Sequence, residues 1–240
     1  MSQIPTTEWS ISEGTNEEEM RGHVLIYLLN RQKDMATELI VKFIKMKEHI
    51  HTTRDDENAE MWIYKDGIYI SEAKTYIIET VRKILDDAFT TFFANQVIAK
   101  IQADTYIAQD DFFNTDYPYL IAVKNGILNL KTKELQDFTP ELKFFNKVPI
   151  AYDPEKQCPN INSFLTEVLA KPEDIQIIEE LFGYLLYDDY FIEKAVMFYG
   201  GGRNGKGKTL SLMKAFLGAD NCTEIPLETL EKDYFSLSEM

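Results

Sequence analysis

The sequence is poor in cysteine and has no long apolar run. Its two cysteines, Cys158 and Cys222, lie far apart and outside any metal-ligand spacing, which is typical of a reducing compartment. No apolar stretch approaches the roughly 18 residues that a membrane-spanning helix needs. The first residues also lack the charged start and apolar core of a secretory signal peptide. We therefore predict a protein of the cytoplasm, with no membrane partner.

Basic residues are scarce as well. The chain of 240 residues carries 25 Lys and Arg against 40 Asp and Glu, so its formal net charge is −15. Proteins that bind the phosphates of nucleic acids use clustered Lys and Arg. Either the partner is not a nucleic acid, or the surface that contacts DNA lies mostly outside this chain.

The apolar pattern predicts an α+β region first. Helical spacing predicts one or two helices over residues 22–50 and further helical structure over 73–102. Aromatic and β-branched residues around Asp66-Gly67 predict a hairpin, and Asn125-Gly126 lies at the turn of a second one. This pattern indicates one compact α+β unit.

Four segments are predicted along the chain. They are an acidic, flexible lead-in at 1–20, an α+β domain at 21–147, an extended segment with two short helices at 148–193, and a last segment at 194–240 that contains a glycine-rich stretch. The first of the two short helices is expected at about 160–170, and the second begins near Pro172. Removal of residues 1–20 is expected to leave the fold intact.

Residues 200–209 read Gly-Gly-Gly-Arg-Asn-Gly-Lys-Gly-Lys-Thr and follow the apolar residues 195–199. A helical pattern comes next, so the order is strand, glycine-rich loop and helix. Glycines let backbone N–H groups surround a polyphosphate, and the helix N-terminus adds the positive end of its dipole. A lysine neutralises the outer phosphates, and a Ser or Thr hydroxyl usually binds magnesium. The stretch predicts a nucleotide-binding loop.

Two alignments of the phosphate-binding motif fit this loop. In the first, Gly200 opens the motif and Lys206 contacts the phosphates. The magnesium hydroxyl position then falls on Gly207, which has no side chain. This alignment places the opening glycine directly after the predicted strand.

In the second alignment, Gly202 opens the motif and Lys208 contacts the phosphates. Thr209 then supplies the hydroxyl for the metal, as the sequence pattern of the motif requires. This alignment needs two additional glycines between strand and motif, and the residues alone leave both alignments open.

Every residue of the loop is a candidate for holding the nucleotide, and the two lysines are the candidate catalytic residues. The candidates are Gly200, Gly201, Gly202, Arg203, Asn204, Gly205, Lys206, Gly207, Lys208 and Thr209. Asn204 is expected to direct its amide at a phosphate or a water molecule. Arg203 is expected to face solvent rather than a neighbouring subunit, and Thr209 is the candidate metal ligand.

Several stretches resemble superfamily 3 helicases, in particular the primase-helicases of phages, plasmids and large DNA viruses. The similar stretches are Gly200-x-Gly202-x-Asn204-Gly205-Lys206, Asn125-Gly126-Ile127-Leu128-Asn129-Leu130, Ile150-x-Tyr152-Asp153-Pro154 and Leu181-Phe182-Gly183-Tyr184. They occur in the order of the family and cover about residues 60–240. The resemblance implies that residues 194–240 begin an AAA+-like P-loop ATPase domain. The whole protein would form a hexameric ring inside a host cell and unwind DNA with ATP and Mg²⁺.

The resemblance also implies particular residue roles. It places the phosphate lysine at Lys206, with Gly207 where many members have Ser or Thr and Thr209 as a stand-in for that hydroxyl. No acidic residue after Thr209 ends an apolar run, so the strand that carries the catalytic carboxylate of such ATPases is not recognisable. We therefore expect the front part of a longer helicase, inactive by itself.

Two other functions fit the loop. A P-loop kinase would transfer phosphate to a small molecule, although such enzymes usually begin at the strand before the loop. An assembly or regulatory module would bind nucleotide without hydrolysing it. Other chemistry finds little support: His49 and His51 have no metal-site spacing, and Trp62, Tyr64 and Tyr69 are expected to pack in or beside a hairpin rather than stack on bases.

Overall fold

The computed structural model describes residues 11, 12, 14–169, 171–189 and 191–226. Contacts between Cα atoms divide the chain into two units. The first comprises residues 1–115 and 140–145, and the second comprises residues 116–139 and 146–240. No helix among the described residues combines the length and the apolarity needed to cross a membrane.

The described residues of the first unit form an α+β domain with five α-helices and four strands. In chain order these are α1 (Glu17–Leu29), α2 (Lys33–Lys47), β1 (Ile50–Thr53), β2 (Met61–Lys65), β3 (Ile68–Ile70), α3 (Ala73–Leu85), α4 (Thr91–Asp104), β4 (Tyr106–Ile107) and α5 (Gln109–Phe113). The strand order is β3-β2-β1-β4, with β1 and β4 parallel and the other pairs antiparallel. The structure has two helices in the part where the sequence predicts one or two, and it confirms the β2–β3 hairpin.

One face of this sheet packs against the long helices. Because side chains alternate across a strand, Ile50, Met61 and Ile63 join the buried side chains of α1 to α4 in one apolar core. The opposite face is aromatic, and it includes Tyr69, which is almost fully buried. The expectation that this tyrosine packs within the protein is confirmed.

The N-terminus of α1 corrects the predicted lead-in. Asn16 accepts a hydrogen bond from the Glu19 backbone N–H, and Glu19 accepts one from the Asn16 N–H, so the two form a capping box. Met20 has 0% of its surface exposed. Residues 16–20 are therefore part of the folded domain, and the prediction of a flexible lead-in is wrong for them. Residues 1–10 lie outside the described part of the chain.

The stretch 73–102, which the apolar spacing predicts to be helical, falls in two helices with a break between them. Asp86, after α3, has a φ of 47°, which ends the helical path. Thr90 then caps α4, because its hydroxyl accepts a hydrogen bond from the Phe93 backbone N–H. The apolar spacing continues through this break, so it hides the interruption.

In the part that the structure describes, the second unit contains a small sheet and three α-helices. They are β5 (Leu120–Val123), β6 (Gly126–Asn129), β7 (Leu135–Gln136), α6 (Pro159–Val168), α7 (Pro172–Tyr184) and α8 (Lys206–Leu217). The sheet is antiparallel in the order β5-β6-β7, which confirms the second hairpin. A proline occupies the first turn of α6 and of α7.

The boundary between the units differs from the predicted one at residue 147. The β5–β6 hairpin belongs to the second unit, where Val123 also forms a parallel bridge with Val148. Residues 140–145 belong to the first, since the Tyr69 N–H donates to the Phe144 carbonyl at 2.7 Å and its hydroxyl donates to the Pro140 carbonyl at 3.0 Å. The predicted bounds 21–147, 148–193 and 194–240 thus do not coincide with the units, and as domain limits they stay predictions.

The predicted strand before the glycine-rich loop is not formed. Residues 191–200, apart from a turn at their start, have no regular structure, and Met197 and Tyr199 are 85% and 95% exposed. A strand is stabilised by hydrogen bonds to a neighbouring strand, and no described strand pairs with this segment. The prediction of α+β structure is confirmed, but the described residues contain no P-loop ATPase sheet.

Candidate nucleotide-binding loop

The glycine-rich loop ends where α8 begins. Gly205 is the N-cap of α8, with a φ of 84°, and Lys206 is the first helical residue. A Cβ atom at Gly205 would lie 2.6 Å from Cγ1 of Val168 in α6. Both the left-handed backbone and this close contact therefore require glycine at position 205.

The preceding residues fold into a tight turn. Gly202 and Arg203 have φ values of 96° and 52°, so the backbone reverses in the left-handed region. A Cβ atom at Gly200 would lie 1.8 Å from Nδ2 of Asn204. The Asn204 side chain thus covers Gly200, whereas Arg203 is exposed.

The side chain of Lys206 reaches back across this turn. Its Nζ donates hydrogen bonds to the Gly200 carbonyl at 2.8 Å and to Oδ1 of Asn204 at 2.9 Å. The ammonium group therefore connects the start of α8 with the opening of the loop. Both of its partners are neutral oxygen atoms, so its positive charge is not neutralised by them.

The first turn of α8 offers further positive potential. The Thr209 N–H donates to the Gly205 carbonyl at 2.9 Å, which is the first hydrogen bond of the helix. The N–H groups of Lys206, Gly207 and Lys208 precede it and have no partner within the helix. Since Gly205 has no side chain to cap them, they are available to an anion.

Thr209 is arranged differently from a metal ligand. It is 5% exposed, and its hydroxyl donates to the Gly205 carbonyl at 3.2 Å. In the second alignment this hydroxyl would have to leave the helix backbone and reach the metal. The geometry favours the first alignment, in which Lys206 is the phosphate lysine, although both assignments stay predictions.

The loop faces an open cleft of about 550 Å³. The loop and α8 provide Arg203, Asn204, Lys206 and Lys208, and α6 forms the other wall with Phe164, Glu167 and Val168. The sequence does not indicate this wall, because only the tertiary structure brings α6 beside the loop. Glu167 is the one carboxylate among the described residues that line the cleft.

The histidines of the first unit do not form a metal site. No group of three or more His, Cys, Asp or Glu side chains converges within the described residues. His51 lies on β1, and its ring contacts the rings of Tyr69 and Phe112, each at a centroid distance of 5.4 Å. Burial lowers the pKa of His51 below its usual 6.5, and the charges of Lys143 and His49 act in the same direction.

A comparison with known families matches more than half of the chain. The family described as "D5 N terminal like" matches residues 7–170 of the 240. No curated protein matches the chain. The matched residues include α1 to α6 and both small sheets, whereas the glycine-rich loop lies beyond them.

Proposed function

Because the chain belongs to the D5 N terminal like family, an N-terminal region of the phage and viral primase-helicase type, we propose that it is part of an ATP-dependent DNA helicase. This helicase would be of superfamily 3 and would act in the replication of a virus, phage or plasmid. The family match supports the replication context. The helicase assignment rests in addition on the resemblance of the loop and its flanks.

The position of Lys206 carries the proposal that the loop binds ATP. A lysine at the first position of a helix, folded back over a glycine turn, is the arrangement that phosphate-binding loops use. Its ammonium group and the unpartnered N–H groups of Lys206, Gly207 and Lys208 would contact the phosphates. The nucleotide would replace the Gly200 and Asn204 oxygens as the acceptor of the lysine.

The loop fits the phosphates better than it fits the metal. Gly207 has no side chain, and the Thr209 hydroxyl is bonded to the backbone. Mg²⁺ commonly keeps several waters and binds through nucleotide phosphates with one or two carboxylates. We propose that Mg²⁺ enters with ATP and is held mainly by the phosphates.

DNA and further copies of the chain are the proposed partners. A net charge of −15 supports DNA contacts that lie mostly outside this chain. The proposal of a hexameric ring rests on the family resemblance. A gel-filtration profile that changes on addition of ATP would support ring assembly, and a monomer at all nucleotide concentrations would oppose it.

Calorimetric titration of the chain with ATP and Mg²⁺ tests the nucleotide site. Lys206→Ala should abolish measurable binding, because it removes the cation that faces the phosphates. Lys208→Ala is the matched control, one lysine removed from the same helix turn, and should weaken binding by less than tenfold. Loss of binding in Lys208→Ala alone would favour the second alignment, and absence of binding in the parent chain would reject the site.

A binding module without hydrolysis is the second candidate. The described cleft contains a single carboxylate, Glu167, whereas P-loop hydrolases use a carboxylate and further residues to bind the metal and orient water. This candidate predicts ATP binding without phosphate release, with or without single-stranded DNA. Turnover in the ordinary enzymatic range, about 1–10³ per second, would reject it.

A further inference from the structure

Four aromatic rings of the second unit surround a cleft of about 410 Å³ that shares no lining residue with the loop cleft. Tyr119 precedes β5, Tyr184 is the last residue of α7, and Tyr187 and Phe191 follow α7 in the chain. Glu180 of α7 also lines this cleft. We refer to these four rings and Glu180 as the aromatic cleft.

The rings are ordered by contacts with one another. Tyr187 lies edge-to-face against Tyr119 at a centroid distance of 5.1 Å, and Phe191 contacts both Tyr184 and Tyr187 at 5.5 Å. The hydroxyl groups of Tyr187 and Tyr119 also interact, which raises the pKa of Tyr187 to about 12 and lowers the pKa of Tyr119. The walls of the cleft are therefore in place before any ligand binds.

The electrostatics of the cleft favour a cation. The faces of aromatic rings carry negative potential, and the Lys131 ammonium group lies 3.5 Å from the centroid of Tyr119. The cluster thus already accepts one cation on a face of its rings. Glu180 is the only charged residue among the described residues that line the cleft, and Asp189 is near enough to contribute to the raised pKa of Tyr187.

We propose that the aromatic cleft binds the cationic side chain of an Arg or Lys residue on a basic protein partner. The ring faces would contact the desolvated cation, and the Glu180 carboxylate would neutralise it. The net charge of −15 would steer a basic partner toward this chain. Unpaired nucleobases also stack on aromatic rings, but Glu180 and Asp189 would repel the phosphates that accompany them.

Calorimetric titration with a hexa-arginine peptide tests the proposal, and hexa-citrulline serves as the neutral peptide of nearly the same shape. We expect the arginine peptide to bind and the citrulline peptide not to bind. Phe191→Leu and Tyr184→Leu keep an apolar side chain but remove the ring. Each should weaken binding by roughly 2-fold to 30-fold, the range expected for one cation–π contact.

The variant Glu180→Gln tests whether binding depends on the carboxylate in the cleft rather than on the negative charge of the surface as a whole. Glu179→Gln is its control, since it removes the same charge from the next position of α7, outside the lining of the cleft. Glu180→Gln should weaken binding several-fold more than Glu179→Gln. Each variant is first checked for an unchanged thermal melt, and Phe191 is suitable because it is mostly exposed.

Three results would contradict the proposal that the aromatic cleft binds a cationic side chain. If Glu179→Gln and Glu180→Gln lose the same affinity for the arginine peptide and both ring variants keep theirs, the peptide is attracted by surface charge and does not occupy the cleft. The absence of binding to hexa-arginine would exclude the site. Binding of a twelve-residue oligothymidine that Phe191→Leu abolishes would identify a nucleic-acid surface instead. The proposal does not depend on ATP binding, because the two clefts use different residues.

Discussion

At the scale of single residues, Gly205 decides the geometry of the glycine-rich loop. Its φ of 84° and the 2.6 Å approach of a Cβ atom to Val168 both disfavour alanine. We expect Gly205→Ala to lower the free energy of unfolding by about 1–3 kcal/mol and to weaken ATP binding. Urea denaturation monitored by tryptophan fluorescence and far-UV circular dichroism measures the first effect.

Gly201→Ala is the matched control for this prediction. A Cβ atom there has no neighbour within 4 Å, and the residue has no positive φ. Gly201→Ala should change the free energy of unfolding by no more than about 0.5 kcal/mol. If Gly201→Ala and Gly205→Ala prove equally mild, the close packing of the loop on α6 does not contribute to stability.

His51 predicts a dependence of stability on pH. Burial, Lys143 and His49 lower its pKa in the folded state from the usual 6.5. The unfolded chain then binds a proton that the folded chain excludes, so the contribution of His51 is fully present above about pH 6.5. Stability should fall as the pH drops from there through the folded-state pKa.

Urea unfolding between pH 5 and 8 measures this effect. In His51→Gln, the free energy of unfolding should lose its dependence on pH between pH 6.5 and the folded-state pKa of His51. The dependence at lower pH that carboxylates cause should remain. An unchanged slope across this interval in His51→Gln would assign the effect to another group.

At the scale of elements, α1 is stabilised by its N-terminal cap and by the side chains that it buries in the core. Asn16→Ala removes the acceptor for the Glu19 N–H and should cost about 0.5–2 kcal/mol of stability. Asn16→Asp keeps a good capping oxygen and should be nearly neutral. Thermal melts of the two variants give the comparison, and equal melting temperatures would show that the cap does not stabilise the domain.

Deletion of residues 1–20 is expected to damage the fold, because it removes the first turn of α1. The interpretation of this stretch as a flexible lead-in predicts the opposite result. The three glutamates at 17–19 resemble a solvated segment in composition. In the structure they form the first turn of α1, where negative charge is favourable, and Met20 enters the core directly after them. Composition alone does not distinguish these two situations.

Elements with a local chemical signal could be predicted from the sequence. Asp66 and Gly67 both adopt positive φ values, as the two-residue turn of a hairpin requires. The side chain of Asn125 exchanges two hydrogen bonds with the Tyr152 backbone, at 3.0 and 2.8 Å. The Asn-Gly signal was recognised as a turn, but this long-range contact has no signal in the sequence.

Elements that depend on distant partners are harder to predict. The sequence does not predict strand β1, because it has only four residues and its neighbours β2 and β4 stabilise it. The segment before the loop has the composition of a strand but no described partner. In the candidate site the loop was found for its local glycine pattern, whereas Glu167 and the rest of the α6 wall were missed.

At the scale of the whole molecule, the two units differ in how their cores are built. The first unit has a continuous cluster of buried apolar side chains from four helices and the sheet. The second buries fewer of them, among them Leu128, Leu165, Ile178 and Met213. Because buried apolar area is the main source of stability, the second unit should open more readily, and this is the unit that carries both clefts.

The difference in stability between the two units predicts where ATP should slow hydrogen exchange. A ligand that binds only the folded state stabilises it by RT ln(1 + [L]/Kd), about 2.7 kcal/mol at a hundredfold excess over Kd. If ATP binds the loop, saturating ATP and Mg²⁺ should slow hydrogen exchange in the second unit, over 200–217 and in α6. The amides of β1 in the first unit should exchange at an unchanged rate, and Lys206→Ala should remove the protection. Equal protection of β1 and α8 would instead mean that nucleotide stabilises both units together, and protection that survives in Lys206→Ala would place the nucleotide elsewhere.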